Sequence, residues 1–127
     1  PCVPFAGIQN GMFALPMIGS GVWVEFEGGN PDYPIWTGCF WGSAAEVPAM
    51  ALMTPPGMQA VTLQTTLQNG LTISDLPGPT GGIMLKSATG AMLIVNDTGI
   101  YIQNGKGAAI TLVGPTVTIN NGALTVI

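Results

Sequence analysis

Two carboxylates stand close together in the run VWVEFE: Glu25 and Glu27. At i and i+2 of a strand they share a face and lie roughly 6–7 Å apart, a separation used by paired carboxylates that cleave glycosidic bonds. Nothing around them in the sequence positions a sugar, and both fall on the polar side of an amphipathic strand. The chain has no histidine and no arginine, so a Ser or Cys nucleophile lacks its usual base. Cys2 and Cys39 lack metal-ligand spacing. They read as free, partly buried thiols, with a single bridge between them as the alternative. NGKG (Asn104 to Gly107) is turn chemistry, not a phosphate-cradling loop, because no strand and GK[ST] helix start flank it. Asp75 and Asp97 read as turn formers, since Asp can accept from its own following backbone. Lys86 and Lys106 read as solvated, with Lys106 able to meet a carboxylate of a neighbouring chain. The sequence therefore offers no catalytic set, no metal set and no cofactor motif.

Composition narrows the class further. Only 6% of the residues are charged, and the net charge is −4. Without a basic surface to neutralise phosphates, nucleic acid is not a partner, and a polybasic membrane anchor is absent. The longest apolar run, Ala91 to Val95, is far short of a membrane span. Polarity comes from Thr, Ser, Asn and Gln, which suit stacked β-ladders. The chain opens on Pro1 within a strand-like stretch, as expected of a piece with earlier strands before it.

The elements that would carry these residues are strands. VWVEFE alternates Val22, Val24 and Phe26 with Trp23, Glu25 and Glu27, the period of a half-buried strand. EGGNPDYP is a long turn, and IWTGCFWG (Ile35 to Gly42) returns as the second arm of a hairpin. Trp23, Trp36 and Trp41 are expected to pack the barrel or its neighbours instead of forming a sugar-stacking platform. Residues 46–59, rich in Ala, Pro and Met, read as a linker with at most one short turn.

From Ala60 a repeat emerges at a shift of 22 residues. Val61 falls on Ile83, Leu63 on Leu85, Leu71 on Leu93, Ile73 on Val95 and Asp75 on Asp97. Further short strands follow, with inward pairs Ile100/Ile102, Ile110/Leu112, Val117/Ile119 and Leu124/Val126. Each strand offers only two apolar residues, so no rung buries its face alone. A thin ribbon of this length makes a poor monomer. Three copies around one axis close a prism with the apolar pairs inside, their edges pairing between chains. The expected shared core is Ile83, Leu85, Leu93, Val95, Ile100, Ile102, Ile110, Leu112, Val117 and Ile119.

Two stretches carry a family resemblance. Gly19 to Gly42, with Leu15-Pro16 ahead of it, resembles the closing hairpin of the OB-fold in central spike proteins of contractile injection systems, such as phage baseplate assembly protein V and the VgrG spikes of type VI secretion. GPTVTINNGALTVI at the other end is similar to the terminus of such a spike. The resemblance implies an all-β chain: 1–45 the C-terminal part of an OB-fold barrel, 46–59 the linker, and 60–127 an intertwined trimeric triangular β-helix (β-prism). It further implies a non-enzymatic, membrane-piercing spike, made in the cytoplasm and built into a phage tail or phage-tail-like particle. Its implied partners are two further copies of itself, tube and baseplate hub proteins at the N-terminal end, and a conical PAAR-type tip protein. That tip would sit on a platform of Leu124, Thr125, Val126 and Ile127, and the target membrane would be traversed, not stably bound. Unlike some members, the chain carries no lysozyme-like insertion, no effector extension and no paired histidines for a metal tip of its own.

Two other readings remain on sequence grounds. A β-solenoid tail-fibre or adhesin module would bind glycans through exposed aromatics, and the repeat region supplies only Tyr101. A glycan-cleaving enzyme fails for want of His, Arg and a convincing carboxylate site.

Overall fold

The computed structural model describes residues 2–126, with side chains described through Leu124. The described residues hold no α-helix; they are strands joined by turns and a few short 3-10 segments. The chain divides into two compact units, Pro1–Val47 and Pro48–Ile127.

The first unit is built from two hairpins. A small one pairs β1 (Ala6–Gly7) with β2 (Asn10–Gly11). The larger pairs β3 (Gly21–Phe26) with β4 (Pro34–Phe40), antiparallel. Its turn opens with Glu27–Gly29 in a 3-10 segment, and Gly28 and Gly29 both have positive φ, which side-chain-bearing residues adopt at a cost. Asn30 Oδ1 then accepts the Asp32 amide at 3.0 Å. Register shifts between Trp23 and Val24, where β4 carries one extra residue, Thr37. Its hydroxyl donates to the Trp23 carbonyl at 3.2 Å. This bulge bends the hairpin, as bulges at barrel rims do. Phe40 lies across Gly21, where a Cβ would stand 2.7 Å from the ring, and its ring centroid is 5.5 Å from that of Trp23. The Cys2 amide donates to the Trp36 carbonyl at 2.8 Å, so the start of the chain runs beside β4.

The second unit is one antiparallel meander of eight strands, in simple sequence order. They are β5 (Ala60–Gln64), β6 (Gly70–Ser74), β7 (Gly82–Lys86), β8 (Met92–Asn96), β9 (Gly99–Gln103), β10 (Ala109–Val113), β11 (Thr116–Ile119) and β12 (Leu124–Val126). Each strand hydrogen-bonds the next strand of the same chain. That limits the edge pairing between chains expected from the sequence: only the outer edges of β5 and β12 are left for it.

The segment expected as a plain linker does more than connect. Ala49–Met53 forms a 3-10 turn packed against β5. Met50 in it is 4% exposed, the one fully covered apolar side chain among those described. Thr54 and Ser74 share a 2.7 Å hydroxyl hydrogen bond just beyond it. This strap covers one side of the sheet near β6, where Thr72 and Ser74 are buried at 5% and 7% exposure.

Candidate functional site

Among the described residues, the polar side chains singled out by the sequence are not brought together. Glu25 stays on β3, but Glu27 leaves the strand and opens the turn, so the two do not share a strand face as expected. Both are exposed. Cys2 and Cys39 are free and exposed, not partly buried. Among the described residues no three His, Cys, Asp or Glu side chains gather as a metal-holding group. Of the tryptophans expected to pack, Trp36 is half-buried and donates its indole N–H to the Gly38 carbonyl at 2.9 Å, whereas Trp23, tilted at 50° to Phe40, and Trp41 are exposed in the single chain. Tyr101, the repeat region's aromatic residue, is half-buried and shares a 3.0 Å hydroxyl contact with Thr98.

What the fold assembles instead is an apolar face. Strand register aligns the second and fourth positions of β5 to β11, and the first and third of β12, into two unbroken rows. One runs Val61, Ile73, Ile83, Val95, Ile100, Leu112, Val117, Val126. The other runs Leu63, Leu71, Leu85, Leu93, Ile102, Ile110, Ile119, Leu124. Every member is Val, Ile or Leu, and side chains two apart on a strand share a face. All ten residues expected as shared core lie in these rows. Seven of them, Ile83, Leu85, Val95, Ile100, Ile102, Ile110 and Leu112, are exposed in the single chain, while Leu93, Val117 and Ile119 are half-buried. Val61, Leu63, Leu71 and Ile73, which stood in the 22-residue repeat but outside the expected core, and the β12 pair Leu124 and Val126 complete the rows. An apolar face of this extent is far beyond what a soluble monomer presents.

The opposite face differs. Its central row runs Thr62, Thr72, Met84, Ile94, Tyr101, Thr111, Thr118. The apolar members sit mid-sheet, where Met53, Pro79, Met84 and Ile94 line a cavity of about 220 Å³. Sequence periodicity missed this patch because IML and LIV are apolar on both phases of the strand.

Turns at the two sides of the sheet are pinned by amide and carboxylate side chains. Asn104 Oδ1 accepts the amides of Lys106 at 2.8 Å and Ala108 at 3.2 Å within its own turn. Asn69 reaches across to accept the Ala88 amide at 2.9 Å. Asp97 departs from its expected role. Its two carboxylate oxygens accept the Gly78 amide, at 3.0 and 3.3 Å, from the preceding turn on that side. The local turn is closed by Asn96, whose Oδ1 accepts the Thr98 amide at 2.9 Å.

At the C-terminal end, β12 pairs with β11 and leaves its far edge open. Leu124 is exposed. Of the expected platform, the side chains of Thr125 and Val126 and the whole of Ile127 lie outside the described residues.

Comparison with known families accounts for an exposed apolar sheet of this kind. Residues 60–125 match the phage baseplate V C-terminal trimerisation domain. The chain belongs to the phage baseplate V family. Residues 1–41 match the type VI secretion system/phage-baseplate injector OB domain, so the two hairpins of the first unit are part of an OB-fold. No curated protein gives a significant match to the chain. The family fixes a structural role in a baseplate spike and is not a known enzyme family. Its trimerisation domain is the sheet that carries the two apolar rows. Among the described residues no helix is long and apolar enough to cross a membrane.

Proposed function

We propose that this chain is one third of the piercing spike of a contractile injection apparatus, transmitting thrust from an inner tube to a target envelope. The observation that carries the proposal is the pair of apolar rows, continuous in register over all eight strands, with most of their described members exposed in one chain. Dimensions support a three-fold closure. A five-residue strand is about 17 Å long. A triangle of that side has its axis roughly 5 Å from each face, the reach of one Leu or Ile side chain. Three sheets with their rows turned inward therefore fill a dry core without a channel. Eight strands at about 4.8 Å spacing give a prism roughly 34 Å tall.

Such a shaft resists bending because its backbone hydrogen bonds run parallel to its axis and its core excludes water. With so few charged groups it meets little desolvation cost on crossing a bilayer, where an unpaired charge is expensive. The N-terminal end would join tube and baseplate hub proteins of a phage tail or tail-like particle. The C-terminal end would present Leu124–Ile127 as a platform for a conical PAAR-type tip protein. The glycan-binding alternative is disfavoured by Tyr101, which is engaged within its own sheet.

The test is the mass in solution by light scattering at micromolar concentration. A particle of three times the chain mass of 13.0 kDa, resistant to SDS, is expected. A compact monomer overturns the proposal.

A further inference from the structure

The apolar rows explain why copies associate but not how they find their alignment. Val, Ile and Leu recur at equivalent positions in every strand, and the 22-residue repeat makes one hairpin resemble the next. Burial alone scarcely distinguishes correctly aligned neighbours from neighbours slipped by one hairpin, since a weakly specified register is prone to slippage. Something on the sheet has to break that degeneracy.

From residue 60 onward the chain has four charged side chains: Asp75, Lys86, Asp97 and Lys106. The meander sorts them by sign. Asp75 follows β6, and Asp97 lies in the turn between β8 and β9; both are on the side of the sheet where β7 and β9 begin. Lys86 ends β7, and Lys106 lies in the turn between β9 and β10, on the opposite side. One side is acidic and the other basic. Asp75, Asp97 and Lys106 are exposed and Lys86 is half-buried.

We infer that the two sides are complementary docking edges for a second copy of this chain: Lys86 and Lys106 of one copy meet Asp75 and Asp97 of the next, and these contacts set the order and axial register of the three chains. The inference rests on the trimeric reading above. In a cyclic trimer the basic side of each copy abuts the acidic side of its neighbour, at all three contacts. A two-fold pairing through matching sides would set Lys against Lys and Asp against Asp. The sign pattern therefore favours the head-to-tail contact that closes a ring.

Heights along the prism agree. Asp75 and Lys86 belong to paired strands, and Asp97 and Lys106 to successive turns around β9. Each lysine thus lies within about one strand spacing, roughly 5 Å, of its acid's level. The four-carbon stem of lysine spans that offset. A copy slipped by a whole hairpin strands one lysine per contact. Exposed ion pairs add little stability each, so their value here is discrimination: a slipped copy loses one pair at every contact, and a two-fold pairing brings like charges together.

The experiment uses the full chain. Lys86→Glu/Lys106→Glu makes both sides acidic. Asp75→Lys/Lys86→Glu swaps one pair and keeps opposite signs in contact. Asp75→Asn/Asp97→Asn removes charge while keeping an acceptor for the Gly78 amide. Trimer dissociation is followed by native mass spectrometry and light scattering at low and at molar salt. The double lysine reversal is expected to weaken the trimer roughly ten- to a hundredfold at low salt, with the loss shrinking at molar salt. The swap returns affinity to within a few-fold of wild type, and the Asn pair gives a weaker trimer with a flatter salt dependence. Wild-type and swapped chains mixed after separate tagging form fewer hybrids than random assortment. A lysine reversal with wild-type affinity and salt dependence overturns the inference while leaving the trimer standing, as does a swap that fails to recover assembly. A monomeric wild type overturns the reading beneath it.

Discussion

Met50 Sδ occupies the space that a side chain at Gly70 would need: a Cβ there would lie 3.0 Å from the sulfur and 2.7 Å from the Leu63 carbonyl oxygen. The glycine at the start of β6 is thus a socket, and the strap residue is its plug. Gly70→Ala is expected to destabilise the sheet by about 1–3 kcal/mol through overpacking. Met50→Ala should cost about 2–5 kcal/mol by leaving a cavity. Both free the strap, read as faster amide exchange and earlier proteolysis over residues 48–54. Unchanged protection there would show that the strap is held by something other than this contact.

The two faces of β9 make the next prediction. Ile102 lies in an apolar row, and Gln103, the next residue, belongs to the opposite face. Ile102→Asp places three carboxylates about the shared axis, each losing several kcal/mol of hydration unless paired. Trimer should not form. Gln103→Ala, which changes the opposite face without adding charge, should assemble as wild type. Ile119→Asp, in the same row on β11, repeats the first result. Soluble wild-type trimer from either isoleucine variant, measured by light scattering, would reassign the inward face.

Much of this was legible in the sequence because a strand's period of two leaves a plain trace. Ile100/Ile102 and Ile110/Leu112 stand out against Tyr101 and Thr111, and the turns between them carry Asn, Gly and Pro. The 22-residue shift likewise aligned Val61 with Ile83 and Leu71 with Leu93, which the structure places in common rows. Other features left no such trace. Met50 follows Pro and Ala in a stretch without periodicity, and only its fit against Gly70 shows that it is an anchor. The bulge at Thr37 interrupts a regular alternation without changing its appearance. The Asp97 contact with Gly78 joins residues nineteen positions apart, and no local pattern encodes it. Met84 and Ile94 were hidden because their strands are apolar on both phases.

That long contact can be tested separately from the charge it carries. Asp97→Asn keeps an oxygen for the Gly78 amide, whereas Asp97→Ala leaves that amide to solvent. The alanine variant should lose about 1 kcal/mol relative to the asparagine variant, a typical net hydrogen bond. The readout is exchange of the Gly78 amide together with the unfolding midpoint. Equal behaviour of the two variants would mean that the contact contributes nothing in solution.

Gln64 presents the reverse case. Its Oε1 is buried without a hydrogen-bond partner in the single chain, beside the position where Met50 meets Gly70. Leaving an acceptor dry costs roughly 1–3 kcal/mol, and an apolar group of similar shape removes that cost. Gln64→Met is therefore expected to raise the unfolding midpoint without altering assembly. A drop instead would show that a donor from another copy or another part of the particle reaches this oxygen.

The open end of β12 bears on what the spike carries. A bare strand edge with exposed Leu124 would be a hazard on a free monomer, because it recruits further strands. Under the proposed function, the same groups at the end of a three-chain shaft would form a socket, with apolar contact and strand pairing available together. Deleting Leu124–Ile127 removes β12 but leaves β5 to β11 and most of both apolar rows, so the trimer should still form. Val126→Lys should likewise spare the trimer while putting a charge at the socket. Both variants are expected to lose the tip protein on co-purification, where the wild-type spike retains it. Retention at wild-type affinity by the truncated trimer would refute the platform and leave the open edge of β12 to another partner.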